Sequence, residues 1–209
     1  MTSILYDKSK KIILCDSREV DIDHKVISDS ATKFAVNSKV VAVVAGNAEY
    51  CTTFLELVKD EQMVTARDFY EKTDQEQFAC ILVSKETGQL VTGFYRALYK
   101  AKPRCELLYE GAGGDFLRHN YVVSDFDFEI AYDRTVQDCY TLSGGSMRYY
   151  NLSTGDNNME ESEVVVLNAA NDSDCKRGIF ALATMTPGTV RVDHDNPDEN
   201  EISLEELGF

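Results

Sequence analysis

The sequence predicts an α+β fold whose strands and helices are segregated into layers, and three observations carry that expectation. Strand-like runs open the chain, two helical stretches follow between about 48 and 72, and strands return before another helical stretch near 128–139, with no βαβ alternation. Lys39-Val40-Val41-Ala42-Val43-Val44-Ala45 is a largely continuous apolar run, as expected of a strand buried on both faces. A length of 209 residues, without linker or internal repeat, fits a single domain over 1–209.

The elements follow in order. Ser3 to Tyr6 and Lys11 to Cys15 are β-rich runs around the polar Asp7-Lys8-Ser9-Lys10, the pattern of a hairpin, so the chain starts inside a sheet. Val26-Ile27 and Lys33 to Val36 are weaker strand candidates, and Gly46-Asn47 ends the long apolar run. From Ala48 to Lys59, Cys51, Phe54, Leu55, Leu57 and Val58 recur at helical spacing, and a second helix is expected from Val64 to Lys72. Phe78 to Ser84 and Gln89 to Tyr95 read as strands joined through Lys85-Glu86-Thr87-Gly88, and Glu106 to Tyr109 as a strand running into Gly111-Ala112-Gly113-Gly114. Ser124 and Asp127 have the form of a capping box, and Phe128, Ala131, Tyr132, Thr135 and Cys139 make a helical stripe behind it. Strand-like stretches recur at Met147–Leu152, Glu163–Leu167, Ile179–Met185 and Thr189–Val192, separated by acidic and Asn-rich segments. Ser203 to Leu207 predicts one capped helical turn.

Composition narrows the function classes. A net charge of −15 argues against nucleic acid or an anionic membrane surface as a main partner. No apolar stretch is long enough to span a bilayer and the start lacks the form of a signal peptide, so a cytoplasmic location is expected. The six cysteines are dispersed, with no Cys-x-x-Cys pair, and read as reduced core residues. His24, His119 and His194 have no ligand-like spacing, which gives metal catalysis little support.

Chemistry enters with Thr2, directly behind Met1. A threonine hydroxyl needs a base, and a free α-amino group, with an ordinary pKa of about 7.7–8.0, is a suitable one. Removal of Met1 would make Thr2 a nucleophile that carries its own base. Taken singly, a small second residue is an ordinary chain start, Asp16 and Lys33 are ordinary surface charges, and Gly46-Asn47 and Ser143-Gly144-Gly145 are ordinary loops.

Together and in this order, however, Thr2, Asp16-Ser17-Arg18, Lys33, the run 39–46, the helix containing Phe54-Leu55-Glu56-Leu57, Gly111-Ala112-Gly113-Gly114, and Asp138 with Ser143-Gly144-Gly145 resemble the N-terminal-nucleophile (Ntn) hydrolases of the proteasome β-subunit and HslV type. The resemblance spans about 2–152 and returns at 202–207, leaving 153–195 as an insertion. It implies a four-layer αββα sandwich. Thr2 would attack a peptide carbonyl, Lys33 would keep the α-amine available as base, and Asp16 would hold Lys33 charged. Gly46 would donate its N–H to the oxyanion. Val44 would line the substrate pocket, with Arg18, Asp138 and Ser143 in support and Thr141 a competing match for Ser143.

The protein this resemblance implies is a threonine-type peptidase acting on peptide or protein substrates without a metal or organic cofactor, assembled as a homo-oligomeric ring and fed by an ATP-dependent unfoldase. Ala112 departs from the pattern, standing where the family usually has a serine. The alternative it favours is a catalytically inactive Ntn-fold assembly or interaction protein. A small-molecule amidohydrolase shares the nucleophile with the first reading.

Overall fold

The computed structural model describes residues 2–21, 23–74, 77–94, 106–159 and 201–209. In chain order its strands are β1 (Ile4–Asp7), β2 (Ile12–Cys15), β3 (Glu19–Val20), β4 (Val26–Ser28), β5 (Phe34–Val36), β6 (Val40–Gly46), β7 (Phe78–Ser84), β8 (Leu90–Val91), β9 (Leu107–Glu110), β10 (Arg148–Asn151) and β11 (Glu201–Ile202). The helices are α1 (Ala48–Lys59), α2 (Met63–Lys72), α3 (Gly114–Val123) and α4 (Phe128–Asp138).

The hairpin forms as expected, with Ile4 opposite Cys15 and Asp7 opposite Ile12. Asp7 builds its turn. One carboxylate oxygen accepts from the backbone N–H groups of Ser9 and Lys10, and the other from the Tyr121 hydroxyl at 2.9 Å. Flanking strands extend the hairpin into an antiparallel sheet of order β10-β2-β1-β9. A second sheet has the order β11-β8-β7-β6-β5, in which β11 runs parallel to β8, and β3 and β4 form a separate ribbon.

Period-two alternation along β6 explains why both of its faces are apolar. Val40, Ala42 and Val44 pack with Phe54, Leu55 and Val58 of α1 and Met63, Ala66 and Tyr70 of α2, whereas Val41, Val43 and Ala45 pack with Ile4, Tyr6, Ile13 and Cys15 of the first sheet. A third apolar seam joins Leu5, Ile12 and Leu14 to Leu117 and Tyr121 of α3 and Ala131 of α4. The seams therefore run from helix pair to sheet, from sheet to sheet, and from sheet to helix pair. The mixed α+β class expected from element order is realised, with four helices and three sheets among the described residues.

The structure departs from the expectations at several points. Asp127, not Ser124, caps α4: its side chain accepts from the N–H groups of Glu129 and Ile130, while Ser124 ends α3 and accepts from Arg134. Helix α3 has no clear stripe in the sequence, because its buried face mixes Leu117 and Tyr121 with Asn120 and leaves Phe116, Val122 and Val123 outside. Of the strand expected over 89–95, Leu90–Val91 is formed and Tyr95 lies outside the described residues. The strands expected at 163–167, 179–185 and 189–192, and most of the segment 153–195, also lie outside them. Residues 153–159 turn back onto β10, where Asn157 bridges Tyr150 and Met159 enters the core between the sheets. The capped turn at the end forms, with Ser203 and Glu206 bonded reciprocally.

Candidate active site

The hairpin's entry places Thr2 and Ser3. Asp16 donates its N–H to the Ser3 carbonyl at 3.1 Å, extending the β1–β2 ladder by one residue, and Gly113 donates to the Thr2 carbonyl at 3.2 Å from the other side. Thr2 is buried between the end of β2 and the loop joining β9 to α3. Gly111 makes that approach possible. Its φ is +84°, and a Cβ there would sit 2.0 Å from the Thr2 carbonyl oxygen and 3.4 Å from the Cβ of Ala45, so the loop also brings the end of β6 to Thr2.

Asp16 is the hub. Its carboxylate has no exposed surface, and Oδ1 accepts from Lys33 Nζ at 2.8 Å and from the Ser3 N–H at 3.0 Å. The other oxygen accepts from the Gly144 N–H at 3.2 Å. The Lys33 ammonium donates also to the Arg18 carbonyl. With the two side chains 0% and 8% exposed, Asp16 and Lys33 form a buried pair and not a solvated surface one. Burial pushes the Asp16 carboxyl up from its ordinary value, while the Lys33 ammonium and the two backbone N–H groups pull it down.

Around this hub lie further residues singled out from the sequence. Val44 donates its N–H to the Lys33 carbonyl at 2.9 Å, which fixes Lys33 beside the end of β6, but the Val44 side chain is fully buried in the seam under α1 and α2. Gly46 has a φ of +125°, and a Cβ there would lie 2.0 Å from the Gln77 carbonyl oxygen, so close packing against the β7 side demands glycine whatever else its N–H does. Arg18 grips Asp29 through Nε at 2.6 Å and Nη2 at 3.1 Å, and donates to the Tyr140 carbonyl. Gly144 passes beneath that guanidinium, where a Cβ would be 2.4 Å from Arg18 Cζ.

Asp138 is engaged elsewhere: it accepts from Asn120 Nδ2 at 2.9 Å and ties α4 to α3. Ser143 is fully buried beside Gly144, while its competitor Thr141 is half-buried. Ala112 is exposed between Gly111 and Gly113. On α1, Cys51 lies within electrostatic reach of Lys33; burial pushes its thiol up to about 12 against the pull of that charge.

Three contributors escaped the sequence reading. Ser17, given no role there, donates to the Asp29 carbonyl at 2.5 Å and accepts from the Ser146 N–H at 2.7 Å, pinning together the loops that flank Asp16. Gly144 is the second of these, as a backbone donor to Asp16. The third is Ser3, whose N–H shares the oxygen held by Lys33. The signal for Ser3 was available: a small hydroxyl residue set between Thr2 and the apolar start of β1. Among the described residues no group of three His, Cys, Asp or Glu side chains converges as a metal site would require, and no helix is long and apolar enough to cross a membrane.

No family model and no curated protein matches the chain. Among solved structures it is similar to the eukaryotic HslV from Trypanosoma brucei, with a TM-score of 0.50 over 71% of this chain and 97% of that one. The chain has an HslV-like fold. Sequence identity across that match is 16%, so the likeness is one of architecture.

Proposed function

We propose that the protein is a proteasome-like threonine peptidase, built as a four-layer αββα sandwich of the Ntn-hydrolase type, whose nucleophile is the Thr2 hydroxyl once Met1 has been removed. The observation that carries this reading is the sharing of Asp16 Oδ1 between Lys33 Nζ and the Ser3 N–H, which anchors a buried ammonium–carboxylate pair one peptide bond from Thr2. In the proposed reaction the Thr2 hydroxyl attacks the scissile carbonyl and its proton passes to the Thr2 α-amine. The nearby Lys33 charge disfavours a second ammonium and so keeps that amine a base near neutral pH. Gly46 N–H stabilises the oxyanion, the C–N bond breaks, and the leaving amine takes the proton. Water then hydrolyses the acyl-threonine ester. A homo-oligomeric ring and an ATP-driven unfoldase partner belong to the same reading.

Ala112 favours a second reading, a silent Ntn-fold assembly protein, because an exposed methyl group between two glycines offers no proton relay at that point of the loop. Intact mass and labelling separate the two. The peptidase is expected to lose Met1 and to be labelled by a peptide epoxyketone or boronate, with all labelling abolished in Thr2→Ala. A retained Met1, or a processed chain that takes no label, overturns the peptidase reading and leaves the silent one.

A further inference from the structure

Two hydroxyl groups near the hub are fully buried and have no hydrogen-bond partner among the described residues: Ser3 Oγ and Ser143 Oγ. Both belong to residues tied to Asp16. Ser3 holds Asp16 Oδ1 through its own N–H, and Ser143 immediately precedes Gly144, whose N–H holds Oδ2. The two meet over the backbone of Gly113. A Cβ there would lie 2.0 Å from Ser3 Oγ and 3.3 Å from Ser143 Cβ, so Ser3 Oγ is less than two hydrogen-bond lengths from Ser143 Cβ. The two side chains thus lie side by side against Gly113, and their hydroxyls do not bond to each other.

Burying a hydroxyl without a partner is costly, and buried polar atoms in folded proteins are satisfied by protein or by ordered water. Here two such hydroxyls, from the first strand's entry and from the loop before β10, flank the same glycine. We propose that Ser3 Oγ and Ser143 Oγ form a binding site for one internal water, which bridges the start of β1 to the loop between α4 and β10. A water in this position accepts from one hydroxyl and donates to the other. It makes Ser3 and Ser143 positioning residues for Asp16, since each fixes the backbone N–H that one carboxylate oxygen uses. The site stands whether or not Thr2 is a nucleophile, because the measurements below read structure and stability and leave labelling aside.

The experiment is a double-mutant cycle on the full chain combined with a high-resolution crystal structure of the wild type. Ser3→Ala and Ser143→Ala are each expected to lower Tm by about 2–4 °C, and the double variant to lie no lower than the worse single one, because losing either hydroxyl already releases the water. The crystal structure is expected to show one ordered density peak within hydrogen-bond distance of both Oγ atoms. Additive shifts, no shift in either single variant, a direct Oγ–Oγ hydrogen bond, or a dry contact between the two serines would each overturn the proposal.

Discussion

Replacing Lys33 with methionine removes the ammonium from a carboxylate that has no exposed surface. Breaking a buried ion pair from one side typically costs about 3–5 kcal/mol, because the remaining charge stays buried without compensation. Asp16 keeps the N–H groups of Ser3 and Gly144, which places Lys33→Met at the lower end, about 3 kcal/mol near neutral pH, or a Tm lower by roughly 6–12 °C. The sign of the pH dependence follows from protonation. Burial already raises the Asp16 carboxyl above its unfolded value of 3.8, and loss of Lys33 raises it further. The folded variant then binds a proton more readily than its unfolded chain, so its stability falls as pH rises through the window above 3.8. Below that window both states carry the neutral acid and the deficit against wild type shrinks. Urea unfolding at about pH 4 and about pH 7 reads this directly, and Asp16→Asn added to Lys33→Met is expected to restore part of the loss at the higher pH. An equal deficit at both pH values, or none near neutrality, would refute a buried carboxylate held by Lys33.

Gly46→Ala and Gly111→Ala both force a positive φ on a residue with a Cβ and drive that Cβ to 2.0 Å from a backbone carbonyl, of Gln77 and Thr2 respectively. Each is expected to cost about 2 kcal/mol or more in chemical denaturation, so loss of any activity in Gly46→Ala has to be read against its stability before it is assigned to the oxyanion; wild-type stability in either would contradict the close approach. The cysteines offer a test of burial: the Cys51 and Cys139 thiols are pushed up to about 12 by burial, and Cys15 and Cys80 are also raised. Iodoacetamide at mildly alkaline pH followed by peptide mapping is expected to leave these four unlabelled in the folded protein and to label them after denaturation, and rapid native labelling of any of them would contradict the packing.

Much of the fold was legible where a local pattern decides it. The hairpin shows in its polar turn, β6 in seven residues whose two faces both need apolar neighbours, and α1 in its stripe; Asn47, read only as ending the strand before it, also caps α1 by accepting from the N–H groups of Glu49 and Tyr50. Helix α3 was illegible as a stripe because Asn120 is buried on it, satisfied by Thr135 and Asp138 across the helix pair, so the polar residue that weakens the pattern is explained only by tertiary contact. Ser124 misled for a similar reason: Asp127, three residues on, is itself a good cap and sits directly before the helix. The site divides along the same line. Thr2 was marked by chemistry, but nothing local links Asp16 to Lys33, 17 residues away, or to Gly144, 128 residues away; those links came from resemblance or, for Gly144 and Ser3, only from coordinates.

Because one carboxylate is gripped by the first strand's entry, by Lys33 and by a loop beyond residue 140, the arrangement beside Thr2 does not exist until segments 128 residues apart in the chain have docked. Contacts of such long sequence separation tend to form late, after the entropy of closing large loops has been overcome. On the proposed mechanism, a nascent or half-folded chain would thus keep the Thr2 hydroxyl unreactive, and labelling at Thr2 would report that folding was complete.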